Sequence, residues 1–273
     1  MLIAQITDTH IKQPGKLAYG RVDTAAMLAR CVEEVLALKQ QPDVILLTGD
    51  LVDSGHPEEY EHLQAILKPL PQRIIAVPGN HDERNAMRAA FCKDCYMPAE
   101  GGFLQFAIDS DYPLRILGLD TVIPKQSGGE LCQERLGWLE RTLEQKPDIP
   151  TLVMMHHPPF ETGIGYMDRF GLKGREAFAD IVSRHPQIEL ILCGHLHRTI
   201  RASVGGRPAM TCPGPAHQIA LDIDPEAPGC FRMEPPGFML HWWNGSRLIS
   251  HVAMIGDYDG PYPLSNPKAK LAD

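Results

Sequence analysis

Leu2-Ile3-Ala4-Gln5-Ile6-Thr7-Asp8-Thr9-His10 opens the chain with a short apolar run that ends in polar residues. Such a run reads as a buried strand. If the chain stays extended beyond it, residues i and i+2 point the same way, so Asp8 and His10 are expected to reach one ion together. The same grammar recurs downstream. Residues 43–48 form a second β-branched run, closed by Gly49-Asp50, and residues 73–77 a third, stopped by Pro78-Gly79 and followed by Asn80-His81-Asp82. Residues 151–155 lead into His156-His157-Pro158, and residues 189–193 into Gly194-His195-Leu196-His197. In open α/β sheets, ligands bind outside the carboxyl ends of the strands. Taken alone, each piece reads as a turn or a satisfied histidine, and Asp50 after Gly49 as a cap. Five strand ends, each delivering an Asp, Asn or His in chain order, point instead to one shared site.

Between these strands the apolar period changes to that of helices. Residues 23–40 carry Val22, Ala25, Ala29, Val32 and Leu36 at three-four spacing, which predicts one buried face. Residues 57–67, with Pro57 early, residues 133–144, with Leu136, Leu139 and Leu143, and residues 175–185 complete the predicted helices. Hairpins are predicted around Asp109-Ser110-Asp111, Gly205-Gly206 and Asn244-Gly245-Ser246. Residues 213–237 are rich in Pro and Gly and carry no helical period, and residues 261–273 read as a loosely tethered tail. The chain is βαβαβ first and antiparallel later. That order predicts a mixed α/β layered sandwich with helices outside and a hairpin-rich C-terminal edge.

The 273 residues suffice for one large domain, and a composition with 44% hydrophobic residues excludes disordered and fibrous classes. No stretch approaches 18 consecutive apolar residues, so no membrane span is expected. The first residues lack a basic leader, which predicts a cytoplasmic protein whose N-terminus is its first strand. A net charge of −8 argues against non-specific nucleic-acid or anionic-membrane binding, and no stable nucleic-acid partner is expected. Seven cysteines, an odd number, are expected as reduced thiols, with Cys31 and Cys193 acting as small hydrophobes. Cys92-Lys93-Asp94-Cys95 lacks the second pair that a zinc ribbon needs.

The set Asp8/His10, Asp50, Asn80/His81/Asp82, His156 and His195/His197 resembles the calcineurin-like metallophosphoesterase superfamily over residues 1 to about 200. Its spacings look most like the class III cyclic-nucleotide phosphodiesterases and the bacterial glycerophosphodiesterases. Thr211-Cys212-Pro213-Gly214-Pro215-Ala216-His217-Gln218, Tyr60 and His156-His157-Pro158-Pro159 extend that likeness. The resemblance implies a four-layer α/β/β/α sandwich. Residues 1–212 would be the catalytic core, and residues 213–273 a hairpin and tail region completing the edge and offering an oligomer contact. It further implies two metal ions, one held by Asp8, His10 and His197, the other by Asn80, His156 and His195, with Asp50 bridging.

An all nitrogen and oxygen donor set suits iron, manganese, zinc or cobalt. With two aspartates and a bridging hydroxide, the two ions leave a net charge of about +1, which matches a phosphodiester monoanion. The expected reaction is hydrolysis of small phosphodiesters, glycerophosphodiesters or cyclic nucleotides, by that hydroxide. His81 would donate to the phosphoryl oxygen or the leaving alkoxide, and His217 would bind a non-bridging oxygen. Asp82 is expected to orient His81, Asp53 to fix its loop, and His157 to pack beside the ligands. Residues 160–172 are read as a loop shaping the substrate pocket. A phosphomonoesterase or pyrophosphatase on the same scaffold, or a non-catalytic binding module, remain the rival readings.

Overall fold

The computed structural model describes residues 1–91 and 96–264. The Cys92–Cys95 pair and the last nine residues of the expected tail lie outside them. In chain order the elements begin with β1 (Leu2–Ile6), α1 (Thr24–Ala37), β2 (Val44–Leu47), α2 (Pro57–Leu67), β3 (Arg73–Ala76) and α3 (Arg84–Ala90). There follow β4 (Phe106–Ile108), β5 (Arg115–Gly118), β6 (Gly129–Glu130), α4 (Gln133–Glu144), β7 (Thr151–Met154), α5 (Gly165–Asp168), β8 (Leu172–Lys173), α6 (Arg175–Arg184) and β9 (Ile188–Cys193). The chain then turns to β10 (Arg201–Val204), β11 (Arg207–Thr211), β12 (Gln218–Ile219), β13 (Phe231–Arg232), β14 (Gly237–Trp243) and β15 (Leu248–Met254).

Two mixed sheets result, flanked by helices. One runs β15-β14-β1-β2-β3 and the other β10-β11-β9-β7-β5-β4. Each has a run of parallel strands, β1-β2-β3 and β11-β9-β7-β5, with an antiparallel hairpin at one edge of the first sheet and at both edges of the second. The two-residue period of the strands explains how the sheets stack. Leu152 and Met154 of β7, with Leu190 and Leu192 of β9, join the core shared with Ile3, Ile45 and Phe238 of the first sheet. Val153, Ile191 and Cys193 face the other way, onto Leu139 and Leu143 of α4 and Phe178 of α6. This is the expected layered mixed α/β architecture, and the C-terminal hairpin enters it as the neighbour of β1.

Two local readings are corrected. The buried face of α1 is Leu28, Cys31, Val32 and Val35, while Leu36 is exposed. Both sets have three-four spacing, and the packed sheet chose the neighbouring stripe. The chain does not stay extended through Asp8 and His10, because their φ angles are 52° and 42°. They turn sharply inward after β1 instead of sharing the face of a strand. The Gly205-Gly206 turn takes φ of 55° and 79°, the paired positive values that a two-residue hairpin requires.

Candidate metal centre

All five strand ends deliver their polar residues to one edge of the sandwich, three from the first sheet and two from the second. His10 Nε2 lies 3.1 Å from His197 Nε2 and 3.7 Å from Asp50 Oδ2, and His197 Nε2 lies 3.6 Å from Asp8 Oδ1. On the other side of Asp50, its Oδ2 is 3.3 Å from His156 Nε2. That nitrogen is 3.2 Å from both Asn80 Oδ1 and His195 Nδ1. Asp8, His10, Asp50, His156, His195 and His197 are buried. The seven residues expected from the sequence therefore form two groups that share Asp50.

The local backbone explains how short segments bring so many side chains inward. Asp8, His10, Asp50, His195 and His197 all adopt positive φ, a conformation that costs a residue with a Cβ and persists where surrounding structure enforces it. Gly79 permits a close approach. A Cβ there would lie 2.2 Å from Asp50 Oδ1 and 2.3 Å from the Asp50 nitrogen.

Hydrogen bonds set the imidazoles. His156 Nδ1–H donates to the Thr48 carbonyl at 2.9 Å, and His197 Nδ1–H donates to the His217 carbonyl at 3.1 Å. Each leaves its Nε2 lone pair facing the centre, the arrangement in which an outer partner orients a metal-binding ring. Burial pushes the pKa values of His10, His195 and His197 well below the usual histidine range, so these rings are neutral donors. Burial would raise the Asp50 pKa, but His156 and His81 overcome it and hold the carboxyl well below its usual range. His156 is pushed up to about 9, because Asp50 overcomes the burial that would lower it. Burial raises Asp8 to about 7.

These donors fit a pair of metal ions. Two inward-facing ring nitrogens 3.1 Å apart repel unless a proton or cation lies against them. Asp8 Oδ2 and His195 Nε2 are buried without a hydrogen-bond partner among the described residues. The groups Asp8/His10/His197 and Asp8/Asp50/His156 each have ligand atoms within 4.8 Å of one another. The donors are imidazole and carboxylate with no thiolate, a set that suits borderline transition ions.

The surroundings correct one expected role and add others. The Asp82 carboxylate makes no hydrogen bond to the His81 ring. It accepts from Tyr60 Oη at 2.8 Å, Gly79 N at 2.8 Å and Leu51 N at 3.2 Å, so it holds the turn that presents Asn80. His81 is oriented by the Asp53 carbonyl, which accepts from Nδ1 at 2.7 Å, and its backbone N–H donates to Asp50 Oδ1 at 2.9 Å. Asp53 also pairs with Lys12 and lies 3.9 Å from His10 Nδ1. His157 is a packing residue. Its Nε2–H donates to the Ser127 carbonyl at 3.1 Å, and its Nδ1 accepts from Thr121 Oγ1 at 2.7 Å.

His217 is buried beside the first group, its ring 4.6 Å from that of His197, with both nitrogens lacking a partner among the described residues. Tyr19 packs edge-on against it at 5.3 Å and stacks on Phe231 at 4.7 Å. Tyr166, Met167 and Phe170 of the 160–172 segment line the same opening. Sequence reading missed Tyr19, which follows no motif, and a buried clamp beneath the centre. Gln5 Nε2 donates to Thr48 Oγ1 at 2.9 Å and to the Cys193 carbonyl at 3.0 Å, tying the two sheets together. His241 Nε2–H donates to Gln5 Oε1 at 3.1 Å. An isolated Gln inside an apolar strand is the signal that could have found it.

Sandwich and side chains together define a class: a two-sheet phosphoesterase with a paired, buried histidine and aspartate site. The chain belongs to the calcineurin-like phosphoesterase family, whose profile matches residues 1–199. It is 39% identical, over the full length of both chains, to "Probable glycerophosphodiester phosphodiesterase GpdQ" of Arcobacter nitrofigilis. It is 28% identical, over 85% of this chain and 84% of the relative, to "3',5'-cyclic adenosine monophosphate phosphodiesterase CpdA" of Escherichia coli K12. Among solved structures, a dimetal phosphatase from Danio rerio shares the fold, with a TM-score of 0.67 at 13% identity over 94% of this chain and 97% of that one.

Proposed function

We propose that this protein is a metal-dependent phosphodiesterase acting on small diesters, with glycerophosphodiesters favoured over cyclic nucleotides. The observation that carries the reading is the convergence of seven donors from both sheets on two adjacent groups sharing Asp50. The full-length similarity to a glycerophosphodiester phosphodiesterase supports the substrate class. Asp8, His10 and His197 would hold one ion, Asn80, His156 and His195 the other, and Asp50 would touch both. When bound, the ions supply positive charge for the phosphoryl oxygens and acidify a water.

The chain's own residues supply the rest. Thr48 and the His217 carbonyl aim the ligand rings. His81, with Nδ1 committed to Asp53, has Nε2 left for a phosphoryl oxygen or the departing alkoxide. His217 offers a further donor to a non-bridging oxygen. Trp242 and Met254, both about half exposed on the C-terminal hairpin, offer a self-association surface that light scattering would test. Residues 1–212 would act as the catalytic core and residues 213–273 as its edge, so removing the latter would expose β1 and unfold the chain.

The deciding experiment is a substrate panel with several metals: a glycerophosphodiester, 2′,3′- and 3′,5′-cyclic nucleotides and a phosphomonoester. Faster turnover of the monoester than of every diester would refute the reading. With a poor leaving group, His81→Ala should cost about 10²- to 10⁴-fold in kcat. Full retention would remove His81 from proton transfer.

A further inference from the structure

Two cavities meet at Asn80 and His81. One, of about 180 Å³, is lined by five of the seven convergent donors and walled by Tyr19, Tyr166 and Phe170. The other, of about 610 Å³, runs from Asn80 and His81 past Ser54 and Asn85 to Lys125. A backbone pattern links them. Among the described residues, seven that are not glycine adopt positive φ: the five strained donors, Tyr19 at 50° and Lys125 at 64°. The last two line one cavity each, and of the seven all but Asp8, which lies behind the donors, line one cavity or the other. Backbone strain of this sort persists where the surroundings enforce it, and it clusters at working sites.

Lys125 is the uncommitted cation of the larger cavity, whose lining also carries Asp82 and Glu83. It makes no ion pair or side-chain hydrogen bond among the described residues. Arg84, the other long cation there, is committed to Asp120 at 2.7 and 2.9 Å and to the Val122 carbonyl at 2.7 Å. The Glu83 carboxylate accepts from Ala86 N at 2.8 Å, and Asp82 is buried in its own three hydrogen bonds. An open-chain diester has two separate arms on one phosphorus, whereas in a cyclic diester both arms belong to one group.

Building on the diesterase reading, we propose that the larger cavity receives the leaving alcohol of an open-chain diester, and that Lys125 selects anionic or hydroxyl-rich leaving alcohols over cationic ones. In the balanced reaction a water oxygen bonds to phosphorus and the P–O bond to the arm in the larger cavity breaks. One water proton ends on the departing oxygen and the other stays on the phosphate or passes to solvent, and the retained arm, against Tyr19, keeps the phosphate as a monoester.

The test uses the metal-loaded full-length enzyme and two methyl aryl phosphates, in which the aryloxide is always the leaving group because methoxide leaves far more slowly. One aryl group carries a para-carboxylate and the other a para-trimethylammonium. The quantity read is the ratio of their kcat/KM values, in which any general loss of activity cancels. An exposed ion pair is worth up to about fivefold, so Lys125→Gln should lower the carboxylate-to-ammonium ratio by about fivefold and Lys125→Glu by about 25-fold. Both effects should shrink as salt is raised. An unchanged ratio in both active variants overturns the proposal. Should Lys125→Glu not fold, the Lys125→Gln ratio decides alone. Wild-type enzyme that hydrolyses neither diester would instead sink the diesterase reading on which the proposal rests.

Discussion

Replacing Gln5 with Leu tests whether a buried polar clamp, rather than apolar packing alone, holds the two ligand-bearing sheets in register. Gln5 is fully buried and Leu is of comparable volume, though it branches one atom nearer the backbone, so the substitution removes hydrogen bonds with little change in size. The Cys193 carbonyl keeps a second donor, Cys212 N at 3.1 Å, and loses little. Thr48 Oγ1 loses its 2.9 Å partner, a net cost of about 1 kcal/mol. His241 Nε2–H is left buried and unpaired, which costs about 1–3 kcal/mol. The sum is about 3 kcal/mol, and for a chain of this size it should lower the Tm by roughly 6–12 °C. The Thr48 carbonyl that aims His156 keeps its bond, so metal affinity should fall by less than the roughly 10- to 100-fold that losing such a partner costs.

The assay is thermal unfolding with and without chelator, combined with metal competition. A cycle with His241→Phe sharpens it. Removing both partners relieves the orphaned donor, so the double variant should be about 1–2 kcal/mol more stable than the sum of the single changes. A Gln5→Leu protein that melts within about 2 °C of wild type would refute the reasoning, and so would strictly additive changes.

Metal uptake should release protons. His156 titrates near 9 in the metal-free site and must lose its proton to coordinate, so affinity should tighten by up to about tenfold per pH unit from 7 to 9. Titration calorimetry in buffers of different ionisation enthalpy checks this, and a heat independent of buffer would contradict it. Gly79→Ala should force Asp50 aside, because the new Cβ would lie 2.3 Å from its backbone nitrogen. The expected cost is about 1–3 kcal/mol with loss of bound metal, read by denaturation and elemental analysis. Acid should destabilise the fold through His241, which burial lowers to about 3. Its folded pKa lies below the unfolded value of 6.5, so its contribution is complete above pH 6.5 and is lost as pH falls from there towards 3. The slope is at most about 1.4 kcal/mol per pH unit, and His241→Phe should flatten that part of the stability profile.

Much of the site was legible in the chain because its residues close strands. Apolar runs of four to six residues ending in Asp, Gly-Asp, Gly-Asn-His or Gly-His-x-His announce both the strand and the group at its carboxyl end. The roles of neighbours were not legible in the same way. Asp82 stands beside His81 in sequence, yet it serves Tyr60 and the Gly79 turn, while a carbonyl from another strand end orients the histidine. The buried stripe of α1 was ambiguous because two adjacent sets of apolar positions share the helical period, and only contact with the sheet distinguishes them.

The sequence by itself determined the alternation of strands and helices, the hairpins and the seven donors, because periodicity and turn chemistry are local and survive without neighbours. Which donors face one another, which backbone stretches carry strain and where two cavities join were decided by tertiary structure. Those properties depend on how two separately hydrogen-bonded sheets stack. Gln5, whose partners come from positions as distant as 48, 193 and 241, adds a polar tie beneath the site to the apolar core that stacks the sheets.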